Sequence, residues 1–488
     1  MVRSKFDWVE FGEKNSKFFL NLENHNYENK SINKLEVNGI EINDQKKILS
    51  EIKNFYEKLY GPNEIDEHLL DELHVDLPKL TEEEVQLTEG AITEKECLQA
   101  LKNLQNGKTP GIDGITTDFY KFFWCDIKDI VLASINCAFV TGKMSNDQRT
   151  GIITLIPKKN KIRMFLKNWR PITLLTTDYK LIAKCLAIRL EKILPRIISQ
   201  SQFAYVKDRY IGENIRGVID IVDYYNAHHL SGIALQIDFE KAFDSINWKF
   251  MEKTLQTFGF GRDFQNWIKI LYNDTQSAVL NNGHITTFFS LYRGVHQGCP
   301  LSAILFILLV ETLGVLLKER KDIEGITVKD REVKLLQLAD DTTIFLRSKE
   351  MVPKVLKLLK FFYKISGLKT NIEKTLAYTL GKLNLPVIGE RTFGLIWKDR
   401  PIHLLGIAIT DSVEQNYNEN FATRIKNIEN LTRIWSSRNL SLKGKITVIN
   451  SLLIPKLIYP ATILDVPNRV YNEVEKILFT FLWNWKTL

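Results

Sequence analysis

Two apolar, β-branched runs, Val333-Lys334-Leu335-Leu336-Gln337 and Ile344-Phe345-Leu346, flank the segment Leu338-Ala339-Asp340-Asp341-Thr342-Thr343. Such runs read as strands, and the polar residues between them as a hairpin turn. The pattern sets two adjacent carboxylates on the tip of a hairpin whose strands are otherwise built for burial. Neighbouring side chains on extended backbone point to opposite faces, and adjacent carboxylates repel each other unless solvent or a cation neutralises them. Asp-Asp is also ordinary turn chemistry, so a metal reading requires a further ligand elsewhere in the chain.

Asp238 is that ligand, in Ile233-Ala234-Leu235-Gln236-Ile237-Asp238-Phe239-Glu240-Lys241-Ala242-Phe243-Asp244. The residues before it read as a buried strand, and Ile246, Trp248, Phe250 and Leu255 after it recur at helical spacing. Asp238 therefore falls at the C-terminal end of a strand. Carboxylates from neighbouring strand ends can hold two divalent ions ~3.5–4 Å apart, the arrangement that activates an attacking oxygen and stabilises a leaving one in phosphoryl transfer. Hard oxygen ligands suit Mg²⁺.

The block from Asp238 to Asp244, the block Gly294-Val295-His296-Gln297-Gly298-Cys299-Pro300-Leu301-Ser302, and Ala339-Asp340-Asp341 stand in the order and rough spacing of reverse transcriptases. Upstream, Gly107-Lys108-Thr109-Pro110-Gly111-Ile112-Asp113-Gly114, Leu155-Ile156-Pro157-Lys158-Lys159 and Asn168-Trp169-Arg170-Pro171-Ile172 resemble the finger blocks of non-LTR (LINE-type) retrotransposon enzymes. Downstream, Gly367-Leu368-Lys369-Thr370-Asn371-Ile372-Glu373-Lys374 and Leu404-Leu405-Gly406-Ile407 look like the last palm blocks. The aromatic-rich segment from Trp8 to Phe19 is similar to the extension before the fingers.

This resemblance implies an α+β right-hand polymerase. Its expected parts are an N-terminal extension (1–100), fingers (101–230), a palm with an antiparallel sheet (231–410) and a helical thumb (411–488), truncated at its end. The implied reaction is RNA-directed DNA polymerisation, in which two Mg²⁺ ions, with Mn²⁺ as the alternative, are bound by Asp238, Asp340, Asp341 and the backbone carbonyl of Phe239. The implied partners are an RNA template, a DNA primer and deoxynucleoside triphosphates.

The resemblance also places Lys158, Lys159 and Arg170 on the triphosphate. There an arginine forks onto two phosphate oxygens while lysines act as point charges. Phe243 stands where an aromatic blocks a ribose 2′-hydroxyl; Gln297 and Gly298 stand against the template and incoming base. Lys374, with Lys369 as its rival, is the candidate proton donor to pyrophosphate. Three positions depart from the pattern: Leu338 replaces Phe or Tyr, His296 replaces Arg or Lys, and Asp208-Arg209 replaces Gly-Arg. The last two departures predict a weaker template grip through lost positive or added negative charge. The alternative reading is a catalytically inactive nucleic-acid-binding remnant.

Size and charge fit a large globular nucleic-acid protein. The 488 residues exceed one ordinary core, and the net charge of +8 suits a polyanionic partner. Seven basic residues and no acidic one lie between Arg149 and Thr177, whereas Glu64 to Glu96 holds twelve acidic residues and reads as an outer face or linker. Five scattered cysteines, Cys97, Cys125, Cys137, Cys185 and Cys299, form no CxxC spacing. The apolar run Ala303 to Val310 is far short of the ~20 residues of a membrane span, and the charged start lacks a signal's apolar core. The expectation is an intracellular protein, nuclear or cytoplasmic. With no endonuclease-like sequence upstream and no Cys/His cluster after Trp485, it also reads as one segment of a longer reading frame.

Overall fold

The computed structural model describes residues 31–381, 391–398 and 400–483; the segment from Trp8 to Phe19 lies outside them. In chain order, the elements that position the site are helix α1 (Gln45–Tyr60), strands β1 (Thr150–Pro157) and β2 (Trp169–Leu174), helices α2 (Thr177–Glu191) and α3 (Ile211–Ala227), and strand β3 (Ser231–Ile237). Strands β4 (Gln276–Asn281), β5 (Leu335–Leu338), β6 (Asp341–Leu346), β7 (Leu376–Gly381) and β8 (Leu395–Lys398) follow, with helices α4 (Thr423–Ser436) and α5 (Asn468–Trp483) after them. The class is α+β, as the sequence implies.

The chain divides into two compact units, each assembled from separate stretches. One comprises 1–197, 241–312 and 362–369, the other 198–240, 313–361 and 370–488.

In the first unit, β1 pairs antiparallel with β2 (Ile152↔Leu174 to Pro157↔Trp169) and parallel with β4 (Thr150↔Gln276 to Thr154↔Leu280). Helix α1 begins where the Asp44 side chain accepts from the Lys47 N–H, satisfying one of the donors that a helix start leaves open. Its Ile48, Ile52, Tyr56 and Tyr60 recur every four residues, so one face is buried. That face packs with Ile153, Leu155, Trp169, Val279 and Phe289 in one apolar cluster.

The acidic stretch is not a linker. Thr81 with Glu84 and Thr93 with Glu96 form capping boxes that start two short helices. Arg189 of α2, 4% exposed, donates to both carboxylate oxygens of Glu96 and to the carbonyls of Thr88, Glu89, Gly90 and Ala91. Glu89 accepts from the Asp263 and Phe264 N–H groups at the start of the Arg262–Tyr272 helix. Glu84, Glu89 and Glu96 thus serve as caps or ion-pair partners, and the segment is bound to the body of the unit.

In the second unit the sheet order is β5-β6-β3-β7-β8, with Arg391–Thr392 outermost. β3 lies between antiparallel partners on both sides, Thr342↔Ile237 to Leu346↔Ile233 and Leu376↔Gln236 to Gly381↔Ser231. A strand paired on both edges and buried along most of its length needs a nearly continuous apolar run, which 233–237 supplies. Ile215, Val218, Val222 and Tyr225 of α3 pack with Ala234, Phe345, Tyr378 and Leu380 of the sheet. In the C-terminal part, Ile425 and Ile428 of α4 are buried. Leu431 and Trp435 pack against a cluster of Ile428, Val448, Ile449, Leu453 and Phe481. The break near Ser441 is a helix start, where the Ser441 hydroxyl accepts from the Gly444 N–H.

Candidate active site

The second unit carries the carboxylates. β3 ends at Ile237, and Asp238 follows at once, its N–H donating to Thr375 Oγ1 at 3.4 Å and its carbonyl accepting from the Asn371 N–H at 2.7 Å. Phe239 is buried and bridges Thr370 across an antiparallel step. The β5–β6 hairpin closes Leu338↔Asp341 around Ala339 and Asp340. Because β6 runs antiparallel to β3 with Thr342 opposite Ile237, the Asp340-Asp341 turn and Asp238 fall at the same end of the sheet.

Ala339 takes φ +54°. A two-residue hairpin asks for positive φ at its first turn position, where glycine is the comfortable residue. The turn is held from outside: the Ala339 N–H donates at 2.9 Å to Oε1 of Gln202, a fully buried side chain, while the Gln337 and Phe203 N–H groups pair the neighbouring segment with β5. Gln202 was not singled out by the sequence reading. Its one signal is a glutamine set between apolar Ile197-Ile198 and Phe203-Ala204.

The carboxylates at this end of the sheet lie close enough to act on one another. Among the described residues Asp238 Oδ2 is buried and accepts no hydrogen bond, and Lys374 Nζ lies 3.6 Å from it. Asp341 retains considerable solvent exposure as a residue, yet its carboxyl is pushed up to about 6, first by desolvation and then by the charges of Asp340 and Asp238. Among the described residues no three Asp, Glu, His or Cys side chains close around one ion. Two carboxylates completed by a backbone carbonyl, waters and substrate phosphates are the usual Mg²⁺ shell, and an oxygen-only donor set with an orphaned buried oxygen fits that ion. Lys374 sits against Asp238, in the second unit, whereas Lys369 belongs to the first.

The first unit carries the other expected residues. Arg170 on β2 is exposed, between buried Trp169 and Pro171, and makes no ion pair among the described residues. Lys158 closes the β1–β2 end with its N–H on Asn168 O at 2.8 Å and its ammonium on Lys167 O at 3.0 Å. Lys159 is exposed. Phe243 is half-buried, stacked on Phe306 at 4.4 Å between ring centres.

The 294–298 loop is strapped down by the Gly294, Val295 and Thr173 N–H groups, which donate to Ile246, Phe243 and Gln297 carbonyls at 2.7 Å each. Gly298 has φ +114°, and a Cβ there would stand 2.8 Å from Thr173 O. Only glycine allows this approach of loop to strand. The Gln297 amide nitrogen donates to Asp244 Oδ1 and Oδ2 at 3.1 and 3.2 Å.

Asp244 is the residue that sequence reading left without a role. It is 2% exposed, and Tyr60 donates to its Oδ1 at 2.8 Å. Burial pushes its carboxyl up to about 6 against the pull of Lys241, Tyr60, Gln297 and Lys158. Lys241, also cut off from water, falls to about 8 although Asp244 holds it up; its ammonium lies 4.6 Å from the Phe55 ring centre.

Two departures in sequence are structural. His296 is buried between the rings of Tyr179 and Tyr272, and desolvation holds it near 4. It is a neutral core side chain that carries no positive charge. Asp208 has φ +63°, the conformation that explains a glycine at this place. Arg209 donates to the carbonyls of Ile198, Ser199 and Gln202, so its guanidinium caps backbone.

A model of the reverse transcriptase (RNA-dependent DNA polymerase) family matches residues 156–409. Over an alignment of 489 residues the chain is 30% identical to the transposon TX1 uncharacterized 149 kDa protein of Xenopus laevis, covering 99% of this chain and 37% of that protein. It is 23% identical to the retrovirus-related Pol polyprotein from type-1 retrotransposable element R2 of Popillia japonica, covering 67% of this chain and 46% of that one. The chain thus spans less than half the length of either relative. A solved telomerase structure from Candida tropicalis aligns over 75% of this chain and 58% of its own, at 15% identity and a TM-score of 0.41.

Proposed function

Because the chain belongs to the reverse transcriptase (RNA-dependent DNA polymerase) family, on its non-LTR branch, we propose that it copies an RNA template into DNA by adding deoxynucleotides to a primer 3′-hydroxyl. The observation that carries this reading is the carboxylate end of the β3–β5–β6 sheet. Among the described residues Asp238 presents a buried oxygen without a hydrogen-bond donor, and the Asp341 carboxyl is raised by desolvation and by the charges of Asp340 and Asp238. Such a set is uncomfortable alone and comfortable around divalent cations.

Asp238, Asp340, Asp341 and the Phe239 carbonyl would hold two Mg²⁺ ions, with Mn²⁺ the alternative. When bound, such ions lower the charge barrier between an attacking hydroxyl and a triphosphate. The protein's own residues supply the rest. Gln202 fixes the turn that carries Asp340, and Asn371 and Thr375 fix the backbone of Asp238. Arg170, exposed and without an ion pair among the described residues, binds phosphate oxygens bidentately, with Lys158 beside it as a point charge. Phe243, held flat by Phe306, excludes a 2′-hydroxyl; Gln297 and Gly298 lie against the incoming nucleotide. Lys374 is the proton donor to pyrophosphate.

In this reading residues 101–230 act as fingers, 231–410 as palm and 411–488 as thumb. The partners are RNA template, DNA primer and deoxynucleoside triphosphates. Among the described residues no helix is long and apolar enough to cross a membrane. Primer extension by the purified chain on an RNA template, with Mg²⁺ and deoxynucleotides, tests the proposal; absence of extension refutes it.

A further inference from the structure

We propose that Tyr60 and Asp244 are positioning residues for Gln297, fixing which end of its side-chain amide faces the nucleotide. The inference rests on the reading of Gln297 given above and extends it to two residues far away in sequence. An ionised carboxylate only accepts hydrogen bonds, whereas a glutamine amide offers a donor end and an acceptor end. With both Asp244 oxygens 3.1 and 3.2 Å from Gln297 Nε2, the amide is locked nitrogen-inward. Oε1 is then the end left for a ligand, so the group that it meets must be a hydrogen-bond donor.

The lock is built from buried parts. Asp244 is 2% exposed and Tyr60 6%. The Tyr60 hydroxyl holds Asp244 Oδ1 at 2.8 Å, which fixes the carboxylate's rotation. Tyr60 is the last residue of α1, and that last turn is tied to the segment leading into the Gln297 loop. The Tyr292 N–H donates to Tyr60 O at 2.9 Å and Arg293 Nε to Leu59 O at 2.7 Å. The main chain of Gln297 is itself fixed by Thr173. An N-terminal helix thereby completes a polar cluster whose outermost member is the glutamine.

The test is a double-mutant cycle in primer extension. Tyr60→Phe removes one hydroxyl and little volume. It should raise the deoxynucleotide KM about fivefold, as expected for one hydrogen bond, with kcat and primer-template affinity nearly constant. Asp244→Asn, which can present either end to the glutamine, should raise KM at least as much. In a Gln297→Ala background Tyr60→Phe should have no further effect, because nothing remains to be oriented. An unchanged KM in Tyr60→Phe, or an equal rise in both backgrounds, overturns the positioning role while leaving Gln297 at the nucleotide. Should Gln297→Ala alone leave KM unchanged, the underlying reading of Gln297 fails, and the positioning role with it. Thermal melting of each variant separates lost folding from lost positioning; if Tyr60→Phe melts early, Asp244→Asn in the two backgrounds decides.

Discussion

The carboxyl of Asp244 is a charge that the fold would be more stable without. Its value rises from the ordinary ~3.9 to about 6 in the folded protein. The folded state therefore holds the proton more tightly than the unfolded chain does, although at neutral pH the carboxyl is still mostly ionised. A group raised on folding stabilises below its unfolded value, near 3.9, and that contribution is lost as pH rises through about 6. Two units at 1.36 kcal/mol each make about 3 kcal/mol.

Asp244→Asn has no such titration. Relative to the wild type it should gain about 3 kcal/mol in unfolding free energy between pH 4 and pH 7.5. Lys241, which loses its counter-ion in the variant, moves the difference the same way. The assay is urea unfolding followed by tryptophan fluorescence at a series of pH values. Stability curves of wild type and variant that run parallel across this range would refute the burial argument. A variant that is more stable at pH 7.5 yet slower at polymerisation would mark Asp244 as retained for function.

Arg189→Met should cost about 3–5 kcal/mol of stability, the range for breaking a buried ion pair, because Glu96 and four backbone carbonyls lose their donor; chemical denaturation measures it, and a loss under about 1 kcal/mol would show that the network is replaceable by water. Arg170→Ala should raise KM for all four deoxynucleotides alike, by the equivalent of about 1.5–3 kcal/mol, since a phosphate contact carries no base information. Loss of template affinity with an unchanged KM would place Arg170 on the template instead. Phe243→Ala should narrow the preference for deoxy- over ribonucleotides in single-nucleotide incorporation, and an unchanged ratio would leave Phe243 as packing against Phe306.

The carboxylate end of the sheet was legible because local patterns carry it. An apolar run ending on a charge makes β3 and Asp238, and two apolar runs around Asp340-Asp341 make the hairpin. Helix α4 was legible for the same reason, its buried positions recurring at helical spacing. What stayed hidden depends on partners distant in sequence. Tyr60 and Asp244 are 184 residues apart, and Gln297 and Asp244 are 53 apart; no periodicity links them. The burial of His296 stayed hidden for the same reason, since its neighbours Tyr179 and Tyr272 come from other elements. Of the two readings of the acidic stretch, the outer face holds, since most of its carboxylates are exposed; the linker fails because charge density says nothing of which carboxylates have a buried arginine or a helix start waiting for them.

Polymerisation at the carboxylates is tested most directly by comparing wild type with Asp238→Asn in primer extension on an RNA template with Mg²⁺. The substitution removes one charge and almost no volume, so folding and primer-template binding serve as internal controls. The account predicts that the wild type extends the primer and that the variant, still folded and still bound, falls by about a hundredfold or more, since charge stabilisation by a bound metal is worth several kcal/mol. Extension by Asp238→Asn at close to the wild-type rate would contradict it.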